Sequence, residues 1–403
     1  MNRRLKHTVF IFTFVILLYL FFWHLPLLKL DALKTASQDP NFSDQNYYLY
    51  IANNLTTQKF ITFDDLNVTW SSFGIVGYLY LGKMIFQTEF FYVLVNPILF
   101  LLGWMLVVKN LKKSMLIRKD GLLLLCLFPS MLLTLSTPGK EFLAIFGTLI
   151  FYNGCIYYFI CTRKRIALWY LIWGLLIVGA SRPHESALLI FTFLIFKSLT
   201  ESSWVKSLLV FASLFIIGLW STSEIEIFKD LLGSIQNRDL FFWDISAKST
   251  SSFLATITSK LSSENLFIHS ILGIPRIIIV FLAPLITSLR SMVAPENTSF
   301  GFDYFIFRDL SSILRMIDII FTIWIIRFST VRINNKMSPG GLNIIRFFML
   351  HLFLSYYSIV YFGIVEKSRY FIQFGFVWLL IFLLTENSER TDPSLRLTSK
   401  IGS

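Results

Sequence analysis

Apolar runs approaching 20 residues return along the whole length of this chain, and they leave it few folds to choose from. His7–Leu30, Phe90–Val108, Phe142–Ile160, Ile166–Ala180, Ala187–Thr200, Ser207–Trp220, Ser311–Ile326, Asn343–Gly363 and Phe371–Leu384 are each most or all of a membrane span. Crossing lipid as a helix takes about 20 apolar residues. Every backbone N–H and C=O must find a partner inside the segment, so the spans are helical. With 403 residues, 55% hydrophobic and only 15% charged, the chain carries too much apolar surface for a soluble domain. It reads as all-α, a single integral membrane domain over 1–403.

The basic residues then orient it. A net charge of +12 could suggest nucleic acid, but the Lys and Arg sit in short loops between apolar runs. That is the pattern of loops retained on the cytoplasmic side. Arg3, Arg4 and Lys6 place the N-terminus inside. The N-terminal run is too long for a signal peptide and lacks a small-residue cleavage site, so it is a first span. It delivers residues 31–70, polar and rich in Asp and Asn, to the outside. Phe73–Phe86 is short and holds Gly74, Gly77, Gly82 and Lys83, which suits a helix in the interface or re-entering it. Phe90–Val108 brings the chain back to Lys109, Lys112, Lys113, Arg118 and Lys119 inside. Gly121–Ser136 goes out to Thr137-Pro138-Gly139-Lys140-Glu141, and Phe142–Ile160 returns to Arg163-Lys164-Arg165. Alternation continues through a large outer loop at 221–265. The run at 265–289 is interrupted by Pro275 and Pro284 and suits two re-entrant half-helices. The expectation is about ten crossings plus interfacial or re-entrant helices, with both termini cytoplasmic and a tail at 386–403 inside.

This topology gathers the turns that mix acids with bases on the outer side. They are Lys140-Glu141, Ser181-Arg182-Pro183-His184-Glu185-Ser186 and Glu366-Lys367-Ser368-Arg369-Tyr370. Charge near hydrocarbon is costly and tends to be retained for function. Arg182 and Arg369 offer rigid forks of donors suited to phosphate oxygens; the plainer role is a neighbouring ion pair or snorkelling. Lys140 follows Pro138-Gly139 at a helix start and could add to a phosphate site, while Glu141 could simply complement the helix dipole. His184 and Glu185 could serve as general base, or cap the helix that begins beside them. In the first outer loop, Asn41 to Tyr50 reads as a capped helix with a greasy face resting on lipid. Asp44 is there either an N-cap or an activating carboxylate, and Tyr47 and Tyr48 either stack on sugar rings or sit at headgroup level. Arg315 and Asp318, spaced i,i+3, read as a self-neutralised pair. Cys126, Cys155 and Cys161 show neither a disulfide framework nor metal spacing, and no nucleotide-binding or metal motif is readable.

Phe128-Pro129-Ser130, Pro138-Gly139-Lys140-Glu141, the Arg182-Pro183 turn and Glu366-Lys367-Ser368-Arg369-Tyr370 together resemble the Wzy-type O-antigen polymerases and EpsG-like exopolysaccharide relatives. These lie within the wider GT-C-like membrane glycosyltransferases, whose acidic first loop is similar to the segment with Asp44 and Tyr48. The resemblance implies a GT-C-like fold in a bacterial inner membrane, with the active face periplasmic. It implies transfer of a glycan from undecaprenyl diphosphate to a sugar hydroxyl of an incoming lipid-linked repeat unit, without cofactor or metal. Arg182, Arg369 and Lys140 would hold the diphosphate, and His184, Glu185 or Asp44 would activate the acceptor. Tyr47, Tyr48 and Tyr370 would meet sugar. Lipid-linked donor and acceptor, membrane lipid and a chain-length regulator protein are the partners implied, and nucleic acid is not among them. Two other readings stay open: a GT-C enzyme adding one sugar from a polyprenyl phosphate, and a flippase for lipid-linked oligosaccharides. A flippase would be expected to show pseudo-symmetric halves.

Overall fold

A computed structural model describes residues 3–20, 48–49, 51–52, 55, 70–88, 91–114, 116–117, 119–137, 139–161, 163–201, 275, 277–278, 302–333, 339–361 and 374–386. All regular structure among them is helical. The helices are α1 (Arg3–Tyr19), α2 (Trp70–Phe86), α3 (Phe91–Lys113), α4 (Pro129–Leu135), α5 (Lys140–Phe159), α6 (Lys164–Ser181), α7 (Pro183–Glu201), α8 (Phe302–Ile333), α9 (Pro339–Tyr361) and α10 (Gly375–Glu386). A 3-10 helix at Leu122–Leu127 precedes α4. Among the described residues α3, α5 and α6 are long and apolar enough to cross a membrane. These fit a membrane protein. The chain divides into two compact units: Met1–Ala187 with Asn297–Phe348 and Ile372–Ser403, and Leu188–Glu296 with Met349–Phe371.

The centre of the first unit is the hairpin of α5 and α6. Gly147 lies against Val178, Gly154 against Leu171, and Gly174 against the Phe151 backbone. A side chain at any of the three would collide, so small residues let the backbones approach and dispersion contacts accumulate. The outer face of α6 carries Leu168, Trp169, Ile172, Trp173 and Leu176, all exposed, as a face toward lipid would be.

Helix α3 runs parallel to α5. Near their starts the Asn96 amide donates to the Thr137 carbonyl at 3.5 Å. Near their ends the Asn110 amide donates to Asn153 Oδ1 at 2.5 Å, and Ser114 Oγ lies 3.8 Å from Cys161 Sγ. From Asn96 to Asn110 an α-helix rises about 21 Å. The chain between Ser114 and Thr137 must therefore climb that whole height. It does so as a broken element rather than the continuous helix expected of a span at Gly121–Ser136. Gly121, at φ 63°, opens the 3-10 turn, and Pro129 starts α4 after it.

Two helices support this broken segment. Along α10, Gly375 packs on Phe128, Leu383 on Gly121, and Glu386 pairs with Lys119. Along α8, Asp318 accepts the backbone N–H groups of Ser130 and Met131, each at 3.2 Å. The expected Arg315–Asp318 pair is thus only part of that carboxylate's role. Arg315 does attract it electrostatically, but its hydrogen bonds cap α4, whose own Phe128 N-cap supplies none. Further along, Ser329 Oγ and Thr385 Oγ1 are 3.3 Å apart.

The two ends of the unit differ in charge. Lys112, Lys113, Lys119 and the Arg163-Lys164-Arg165 loop belong to one end. The Thr137–Glu141 turn and the α6–α7 junction belong to the other. Across that second end lies α2. Gly74 meets Ala180 in the last turn of α6, Gly82 meets Phe91 at the start of α3, and the Tyr78 ring is 5.7 Å from Phe142 in the first turn of α5.

Candidate functional site

Arg182 is the residue on which α6 ends and α7 begins. Its N–H donates to the Val178 carbonyl, and its own carbonyl accepts from Glu185 and Ser186 at 3.0 and 3.2 Å. Pro183 comes next, at a position where a helix tolerates a missing N–H. The junction turns the guanidinium inward, and Arg182 is only 5% exposed. Nη1 donates to Glu185 Oε1 at 2.6 Å, and Nη2 donates to Glu141 Oε1 at 2.8 Å. Both carboxylates are largely buried and both lie in the first turn of a helix, where the dipole favours negative charge. Charge-assisted bonds of this length are the strong kind.

The triad brings together parts of two turns that stand 41 residues apart in sequence. Glu141 therefore does more than complement its own helix, because it closes an ion pair across α5 and α6. Next to it, Lys140 Nζ stands 5.1 Å above the centre of the Tyr48 ring, a cation–π contact. Lys140 thus occupies one face of the Tyr48 ring, the residue expected from sequence to meet sugar or headgroups. Tyr48, Ile51 and Ala52 are buried against Ile75, Val76 and Leu79 of α2 and Phe91 to Val93 of α3. Tyr47 and Tyr50 lie outside the described residues, while Ile51 and Leu55, two residues of the expected greasy face, pack on protein here. The physical reason is that α2 crosses the bundle end and offers an apolar platform there.

His184 is the open member of the group. It is 63% exposed at its side chain, with Nε2 4.0 Å from Glu185 Oε1. Arg182, Glu141, Glu185, His184, Lys140 and Tyr48 are thus neighbours at one end of the unit. Asp44, Tyr47, Arg369 and Tyr370 lie outside the described residues, as do the loop at 221–265, nearly all of 265–289 and the tail from 387. Among the described residues no three His, Cys, Asp or Glu side chains cluster as metal ligands would.

A second polar group lies beside the triad and has no sequence signature. The Tyr78 hydroxyl donates to Asn96 Oδ1, and the Asn96 amide reaches the Thr137 carbonyl. Asn96 and Thr137 are both buried. The one readable hint is a polar Asn inside an otherwise apolar run, directly before Pro97.

The fold and this site define a helical, membrane-type bundle with a buried carboxylate–guanidinium–carboxylate triad at the end away from its basic loops. No family model, no curated protein and no solved structure matches the chain.

Proposed function

We propose that this chain is a membrane glycosyltransferase that joins repeat units carried on a polyprenyl diphosphate, acting at the outer, periplasmic face of a bacterial inner membrane. The observation that supports this reading is the Glu141–Arg182–Glu185 triad, placed with Lys140 and His184 at the end opposite the basic loops. An acceptor hydroxyl gives its proton to Glu185, and its oxygen bonds to the anomeric carbon of the donor sugar. The bond from that carbon to the diphosphate breaks, and the diphosphate leaves with the electron pair. His184, exposed and next to Glu185, passes the proton to solvent. Lys140 meets the leaving charge, where a cation lowers the barrier most.

Arg182 takes a different part from a simple phosphate clamp. Both of its terminal nitrogens already bond carboxylates, so it orients the base and holds it in place. A phosphate would be met by its other N–H donors or by displacing one carboxylate. Arg369 remains the proposed second diphosphate ligand, Asp44 an alternative base, and Tyr47 and Tyr370 sugar contacts, all from the family resemblance.

The test is turnover of a mass-tagged lipid-linked repeat unit by the full chain in liposomes. A ladder of products is expected from the native protein. One added sugar from a polyprenyl phosphate would replace this reading with single-sugar transfer, and movement of lipid between leaflets without bond formation would replace it with a flippase. Glu185→Gln is expected to lose about 10²-fold or more of the extension rate, the usual share of a general base. Near-native ladders from that variant would remove Glu185 from the chemistry.

A further inference from the structure

Three facts about α2 converge on the triad. Gly74 touches the backbone of Ala180, two residues before Arg182, so closely that a Cβ would overlap the Ala180 carbonyl oxygen. Tyr78 donates its hydroxyl to Asn96, whose amide reaches Thr137, three residues before Lys140 and four before Glu141. The Tyr78 ring also packs on Phe142, the residue after Glu141. Gly74, Tyr78 and Gly82 are spaced i, i+4, i+8, so they share one face of the helix. One helix face therefore meets both arms of the triad, at the Arg182 side through Gly74 and at the Glu141 side through Tyr78.

We infer that α2 sets the gap between the Glu141 arm and the Arg182–Glu185 arm, with Tyr78 and Asn96 as positioning residues that act through the Thr137–Glu141 turn. The inference rests on the triad being the reacting centre, but its geometric half does not. The hydrogen bonds of Tyr78 and Asn96 run to each other and on to the Thr137 carbonyl, at one remove from the triad side chains. Their effect is to fix how far the Glu141 carboxylate stands from the guanidinium. An ångström of error in such a distance is enough to cost about 10²-fold in rate.

Tyr78→Phe removes one hydroxyl and keeps the ring against Phe142, so the fold has little cause to fail. It is expected to lower the maximal extension rate about tenfold with KM for the repeat unit unchanged. In a Glu141→Gln background the same change is expected to cost less than about twofold, because coupled residues are not additive. Full additivity would overturn the inference. The geometric half is read without turnover. Nitroxides on Lys140→Cys and His184→Cys, with Cys126, Cys155 and Cys161 replaced by Ser, report the separation of the two arms by dipolar coupling. That separation is expected to broaden or shift with Tyr78→Phe and, independently, with Gly74→Ala. A coupling unmoved by both would overturn the inference whatever the turnover assay gives. A coupling that moves in the labelled protein, while the native protein makes no ladder, would keep α2 as the spacer and discard the proposed reaction.

Discussion

At Arg182 one guanidinium is shared by two carboxylates, and all three side chains are largely enclosed by protein. Taking one partner away is worse than never having built the group. An uncompensated buried charge costs about 3–5 kcal/mol. Arg182→Ala leaves two buried acids facing each other and is expected to lower the melting temperature in detergent sharply. Arg182→Lys keeps a charge but cannot bridge both acids with one fork, so it should restore part of the stability and little of the activity. The two variants together separate a structural role from a chemical one. An Arg182→Ala protein with native melting and native ladders would leave the triad with neither. The mixed-charge turns at Lys140-Glu141 and Arg182-His184-Glu185 were legible because charge between apolar runs stands out. Their pairing was not, since an i,i+41 contact leaves no local trace. Asp318 shows the same limit more plainly. Its neighbour Arg315 is visible at i,i+3, while its hydrogen-bond partners Ser130 and Met131 lie 188 and 187 residues away.

Among elements, the least regular one has the most demanding task. The stretch from Leu122 to Leu135 must rise through the same height as α3 and α5 while broken at Phe128-Pro129. Apolar periodicity marks such a run as membrane-embedded but cannot tell one helix from two short pieces, because nearly every position in it is apolar and no period shows. The Asp318 cap is what the second piece lacks on its own. Asp318→Ala should cost about 1 kcal/mol or more through loss of the cap, measured as a fall in melting temperature. The α5–α6 hairpin gives a sharper element-scale contrast. Gly174→Ala pushes a methyl into the Phe151 backbone, and overpacking of this kind costs about 1–3 kcal/mol. Gly77→Ala, also inside a helix but with nothing within 4 Å of the added Cβ, should be neutral or gain about 0.5–1 kcal/mol from helix propensity. If both changes shift the melting temperature alike, close backbone approach is not what holds the hairpin.

At the scale of the whole molecule, the two ends of the first unit have opposite characters, and that asymmetry gives the proposed function a place. Lys112, Lys113 and the Arg163-Lys164-Arg165 loop meet at one end, where Ser114 and Cys161 are neighbours. The Arg182 triad and Lys140 occupy the other. The basic cluster should face the cytoplasm, so the triad should face away from it. Single cysteines in a cysteine-free chain measure this directly in intact cells. His184→Cys, exposed and at the triad end, should react with a membrane-impermeant maleimide added outside. Arg163→Cys should react only after the membrane is opened. Arg369→Cys carries the greater weight, because only the span count expected from sequence would put Arg369 on the triad's side. Its labelling from outside, alongside His184→Cys, would leave Lys140 and Arg369 on one side, able to grip one lipid diphosphate. Labelling from the cytoplasm would remove Arg369 from the site. Lys140 would then have to meet the leaving diphosphate without it, and transfer from a singly phosphorylated carrier, with less charge to stabilise, would become the better fit.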